Sequence, residues 1–155
     1  MTDPIGNDTA AGVWVIIIAY VVIFGVALLI AYLLTAITLS MFFGKVGVER
    51  WIAWVPFYNH WRWLEVGGQY GALALLTLIP YGGIVTAVFL AIGMYRTGIA
   101  FRKDSSWVVL GIFLPWLWCI LLARPEEHYD PALLAAHGYP PPRAGFGALG
   151  PAAVA

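Results

Sequence analysis

Residues Val13 to Phe43 form a run of thirty-one residues without one formal charge. This run restricts the fold more than any other feature of the chain. As a helix rising 1.5 Å per residue it reaches about 46 Å, against a hydrocarbon core of about 30 Å. It predicts a transmembrane helix that tilts or projects at one end. Composition makes the same demand, because the chain is 62% hydrophobic and 10% charged, where soluble domains run about 45–50% and about 25%. A cleaved signal peptide fits poorly. The flank MTDPIGNDTAAG carries Asp3 and Asp8 and no basic residue, and the run is more than twice as long as a usual signal core.

Two further charge-free runs follow, Gly71 to Tyr95 and Ser105 to Ala123. Each is long enough to span, and each contains a proline, Pro80 or Pro115, that removes a backbone donor and predicts a bend packed against protein. Asp104 or Ser105 is placed to cap the last run, and Arg124 with Pro125 closes it. Between the first and second runs lies WIAWVPFYNHW, Trp51 to Trp61, fenced by Arg50 and Arg62. It is too apolar for water, yet as a helix it would rise only about 16 Å. The expected fold is therefore all-α: an integral membrane helical bundle of three spans plus one short Pro/Trp-rich segment that is a short span, re-entrant or interfacial. Residues 1–12 are the extramembrane N-terminus and 13–124 the membrane helical domain. From 125 to 155 the chain turns acidic and then Pro/Ala/Gly-rich, a composition that predicts a disordered tail.

An internal echo runs through the membrane part. Trp51 leads to Pro56-Phe57, Ala72 to Pro80-Tyr81 and Trp107 to Pro115-Trp116. Small residues recur four apart: Ala27, Ala31 and Thr35, then Gly83, Ala87 and Ala91, then Gly111, Pro115, Cys119 and Ala123. Such stripes are candidate helix-packing seams, because residues four apart share a helix face and small side chains let backbones approach. Tyr70, Tyr95, Phe101 and Trp107 stand at the ends of runs, where aromatic rings favour the headgroup layer.

An N-terminus with two Asp and no basic residue is expected outside a plasma membrane, with Lys45 and Arg50 inside. If 51–67 does not cross, the short loops hold four basic residues inside against three outside; if it does, five against two.

Eight Lys and Arg balance eight Asp and Glu, which leaves no basic excess to hold nucleic acid. The bilayer, and another membrane protein or a second copy of the chain, are the partners this composition fits. Cys119 is single and cannot form an internal disulfide. His60, His128 and His137 are scattered and no glycine-rich phosphate loop follows a strand, so no metal or cofactor is expected. The one polar cluster at membrane depth is Asn59, His60, Arg62 and Glu65, where Arg62 and Glu65, three apart, are spaced to pair.

The stretches FFGKVGVERWIAWVPFYNHW, LIPYGG and LPWLW, ending near Tyr129, resemble a family of small prokaryotic membrane proteins classed as a domain of unknown function, with members labelled "large exoprotein" or "signal peptidase I". The resemblance covers roughly residues 40 to 130, and its most specific part is Gly47, Trp51, Pro56, Phe57, Tyr58 and Asn59. Other members place an Asn after the second proline; here Gly82 and Gly83 stand there. The resemblance implies a helical membrane fold and no established chemistry.

Residues argue against the peptidase label, since Ser40 with Lys45 and Ser105 with Lys103 lie off a common helix face and no large extramembrane domain is present to hold a substrate. The expected role is a non-enzymatic accessory or scaffold subunit that binds other membrane proteins. The alternative is a small homo-oligomeric transporter, channel or lipid-handling protein using the Asn59–Glu65 cluster.

Overall fold

A computed structural model describes residues 4–147, with side chains from residue 11. The chain divides into two compact units, residues 1–34 and 35–155. The first helix, α1 (Pro4–Val46), runs through both. Every residue from 11 to 34 is exposed, with apolar side chains on all sides rather than along a stripe. A helix hydrophobic all round belongs in lipid or among other helices. Within the second unit follow a 3-10 helix (Arg50–Trp54), α2 (Tyr58–Val66), a second 3-10 helix (Gly71–Leu78), α3 (Gly82–Ala100), α4 (Trp107–Phe113), α5 (Pro115–Leu122) and α6 (Ala132–Ala136).

Among the described residues the fold is all-helical as expected, but two helices, not three, are long and apolar enough to cross a membrane: α1 over Ala11–Val46 and α3. Proline is the physical reason. The residue before a proline is pushed out of the α region, and Val55, Ile79 and Leu114 adopt φ/ψ of −100/109°, −100/142° and −135/64°. The second run is therefore split into a 3-10 helix and α3, and the third into α4 and α5. The echo in sequence becomes a repeated backbone in its first two copies. Val55 N–H donates to Ile52 O (3.1 Å) and Ile79 N–H to Leu76 O (3.0 Å). A proline follows, then an aromatic with φ of 64° in both, Phe57 and Tyr81, and an α-helix starts. The third copy departs, because Pro115 itself opens α5.

Each run doubles back at its proline. Asn59 Nδ2 donates to Ala53 O (3.3 Å) across the first turn. Across the second, Thr86 Oγ1 donates to Leu73 O (3.0 Å), Gln69 Nε2 to Phe89 O (2.6 Å) and Arg96 to Gly67 O (3.3 Å). In the third, a Cβ built on Gly111 would lie 3.3 Å from the Trp118 ring, and the ends are tied by the Lys103–Glu127 ion pair at 2.7 Å and by Asp130 N–H to Ala100 O at 2.9 Å. Phe42 of α1 sits at the centre of the unit, with ring centroids of Phe43, Trp63, Phe101 and Trp118 5.3 to 6.3 Å away. Aromatic pairs at such distances add about 0.5–1.5 kcal/mol each beyond area burial.

Helix ends repeat one device. After α1, Val48 N–H donates to Phe43 O (2.8 Å) while Gly47 takes φ of 86°, the left-handed cap that glycine tolerates best. The same six-residue closure ends α2 (Gln69 to Leu64), α3 (Lys103 to Gly98) and α6 (Tyr139 to Leu134). At α3 the left-handed residue is Arg102, φ 57°.

One expectation is corrected. The disordered tail is folded as far as residue 147: Leu134 and Pro131 are fully buried, Arg143 N–H donates to Glu65 O and Gly147 N–H to Val46 O, both at 2.8 Å. Ala, Gly and Pro carry little apolar surface of their own, but here they close on a core supplied by α1, α2 and α3. Residues 148–155 lie outside the described residues.

The small-residue stripes are covered only in part within the chain. Gly111 and Cys119 are buried and Thr35 is half-buried, whereas Ala27, Ala31, Gly83 and Ala87 are exposed. A close backbone approach occurs instead at Gly67 and Gly93, where a Cβ on Gly67 would lie 2.5 Å from Gly93 Cα. These glycines are neighbours across a hairpin, not along one helix face, so a four-residue stripe does not reveal them.

Candidate functional site

α2 brings the predicted polar residues together and divides them. Arg62 and Glu65 form the expected i,i+3 pair at 2.8 Å, with side chains 34% and 15% exposed. The pair is enclosed by its own neighbours: Trp61 Nε1 donates to Glu65 Oε1 (2.8 Å) and Arg62 Nε to Tyr58 Oη (3.1 Å). Asn59 is turned inward, its Nδ2 on Ala53 O and its Oδ1 accepting from His60 N–H at 2.6 Å. His60 points elsewhere, and its buried Nδ1 has no protein partner. Burial lowers its pKa below the ordinary value near 6.5, which keeps the imidazole neutral at pH 7. The cluster is thus a closed ion pair plus two inward side chains rather than one continuous polar line.

Two residues of the specific motif, Gly47 and Tyr58, line a cavity of 340 Å³ beside this pair, together with Glu49, Ile52, Arg62 and Arg143 through Phe146. Gly47 is required twice over, for its positive φ and because a Cβ there would lie 3.0 Å from the Gly147 carbonyl. Trp51 donates to the Glu49 carboxylate and its ring lies 6.1 Å from Tyr58, while Pro56 and Phe57 form the first turn. Arg143 is the residue that the sequence left unmarked. Its guanidinium lies 3.8 Å over the Tyr70 ring, and it arrives only because the tail folds back. Chemically the cavity offers two guanidinium groups, one already committed to Glu65, a phenol and a carboxylate.

A second cavity, of 450 Å³, is apolar. Thr35, His60, Trp63, Ala87, Ala91, Gly111, Ile112 and Pro115 line it with other apolar residues. The stripe Ala87–Ala91, read as a packing seam, therefore faces open space. Lys45, weighed above as a base, donates to Arg124 O (2.9 Å) at the carboxyl end of α5, and Ser40 Oγ donates to Ile37 O of its own helix. Lys103 is held by Glu127. Among the described residues no group of three or more His, Cys, Asp or Glu is placed to hold a metal.

No curated protein and no solved structure matches the chain. The family model that matches is that of a family of unknown function (DUF5684), over residues 51–131, from the first 3-10 helix through the three proline turns to the start of α6. That span is more than half of the 155 residues, and the chain belongs to this family of unknown function.

Proposed function

We propose that this chain is a non-enzymatic accessory or scaffold protein of the cell membrane, binding another membrane protein or a second copy of itself. The observation that carries the reading is the surface of α1. From residue 11 to residue 34 it exposes large apolar side chains on every face and buries none. A surface of that kind is covered by lipid and by other helices, and small residues such as Ala27 set where a second helix approaches closely. The polar residues support the same reading, because Arg62 and Glu65 are bonded to each other, to Tyr58 and to Trp61 rather than turned towards a path for a solute. The test places a photo-crosslinking residue at Ile16, Ile17 or Ile18, exposed positions that point in three directions around the helix, in the native membrane. A discrete protein adduct confined to one face of the helix is expected; labelling of lipid alone at all three positions would refute the scaffold role.

The 450 Å³ apolar cavity favours one second reading, lipid handling. Lipid extracted in constant ratio with the purified chain, and lost on filling the cavity by Ala91→Phe, supports it.

A further inference from the structure

We infer that the turns at Pro80 and Pro115 insert together into one leaflet of the bilayer, so that neither the second nor the third apolar run crosses it and the polar ends of both lie on one side. The inference rests on the reading of the chain as a membrane protein. The ends of each run are bonded to each other: Arg96 to Gly67 O at 3.3 Å across the second, Lys103 to Glu127 at 2.7 Å across the third. A run that crossed would hold its ends about 30 Å apart.

The turns are charge-free and expose Leu78, Ile79, Tyr81 (86%) and Ile84 in one hairpin, and Ile112 and Phe113 (77%) in the other. They are neighbours, because Ile84, Ile112 and Pro115 line the same cavity.

Depth decides between dipping and spanning. The charge-free part of α3, Gly82 to Tyr95, rises about 20 Å, and α4 about 10 Å. Both fall short of a core of about 30 Å. α3 as a whole has the length to cross, but its guanidinium at Arg96 is fixed on Gly67 O and 5.4 Å over the Tyr139 ring. That holds the charge with the polar ends.

Backbone chemistry permits irregular turns there. An orphaned donor is costly in lipid, and four of the turn N–H groups are bonded: Gly82 to Ile79 O, Ile84 to Tyr81 O, Leu114 to Leu110 O and Trp118 to Leu114 O, all within 3.1 Å. Pro80 and Pro115 bring no donor at all.

Charge distribution agrees. All eight Lys and Arg of the chain lie at position 45 or later. Alternating crossings leave some of them on each side, whereas the one-sided arrangement collects them on a single face, the cytoplasmic one by the positive-inside rule.

The test uses the full chain with Cys119→Ala and single cysteines replacing Arg50, Tyr70, Asp104, Glu126, Tyr81 or Phe113, labelled by a membrane-impermeant maleimide in right-side-out and inverted vesicles. Positions 50, 70, 104 and 126 should react only from the cytoplasmic side, and 81 and 113 from neither side until detergent is added. Labelling of 70 and 104 from opposite sides would overturn the inference by making α3 a crossing, and opposite labelling of 104 and 126 would do so for the third run. Reaction of 81 or 113 from the far side would also overturn it.

The purified chain in vesicles of pure phospholipid should keep 81 and 113 protected. If they become reactive there, a protein and not the leaflet covers the turns, and the inference fails. Release of the chain by alkaline carbonate, with all six positions reactive, would instead refute membrane residence itself.

Discussion

Gly67→Ala tests the packing that closes the second hairpin. Gly67 has φ/ψ of −79/10°, a conformation open to any residue, so the substitution meets no torsional objection. The obstacle is steric: the new Cβ would lie 2.5 Å from Gly93 Cα and 3.1 Å from its carbonyl carbon and oxygen. Carbon atoms rest about 3.5–4.0 Å apart, so α3 must retreat by roughly 1 Å. These are backbone atoms of a helix already tied by Gln69 and Arg96, and no side chain can rotate away. Overpacking of this kind costs about 1–3 kcal/mol, and loosening the Arg96 bond about 1 more. Restricting the unfolded chain returns about 0.4–1. The net is a loss of about 2 kcal/mol, or roughly 4–8 °C in Tm for a chain of this size.

The control is Gly83→Ala on the same helix, where nothing lies within 4 Å of the new Cβ. It should be neutral or slightly stabilising. Melting of both variants is followed by tryptophan fluorescence in detergent. If Gly67→Ala melts with Gly83→Ala and wild type, the close approach of α2 and α3 is refuted.

Gly47→Ala forces a left-handed residue against the Gly147 backbone, and should lower stability by about 2 kcal/mol, read as a fall in Tm. Trp118→Ala empties a fully buried site beside Phe42 and Trp63. A loss of about 3–5 kcal/mol is expected, seen as a lowered yield of protein surviving detergent extraction. Tyr129→Phe removes the bond from Tyr129 Oη to Gly145 O (2.8 Å), worth about 1 kcal/mol.

The same side chain carries a pH signature. Burial pushes the Tyr129 pKa above its ordinary value of 10.0, so its stabilisation is complete below pH 10 and falls as pH rises through the folded pKa. Wild type should lose stability above pH 10 faster than the Phe variant, and parallel alkaline curves would count against a buried phenol. Truncation after Asp130 removes Leu134, the Arg143 bond to Glu65 and the Gly147 bond to Val46. It should lower Tm and expose the Glu65 region to proteolysis; an unchanged Tm would mean that the tail is not packed.

Reading the sequence went furthest where information is local. The 3.6-residue geometry and the absence of charge made α1 visible as a membrane-length helix, and the i,i+3 spacing of Arg62 and Glu65 was enough to predict their pairing. The repeated proline-aromatic step was legible as an echo, because a proline acts on the residue beside it. Its consequence was not legible. A charge-free run of nineteen or twenty-five residues reads the same whether it is one straight helix or two arms folded together, since both bury or expose the same residue types.

What the amino-acid sequence determined by itself is which segments carry no charge over a membrane's length and the places where the backbone must break: long uncharged runs, and prolines that hold Val55, Ile79 and Leu114 out of the α region. What only the tertiary structure decided is where each broken run goes. The contacts that reverse them join residues far apart in sequence, Gly67 with Gly93, Lys103 with Glu127, Glu65 with Arg143 and Val46 with Gly147. Each depends on two surfaces meeting in space, and no local periodicity records that meeting. The folded tail shows this most clearly. Its own residues are too small and too few in apolar area to hold it, and it is ordered by what α1, α2 and α3 offer it.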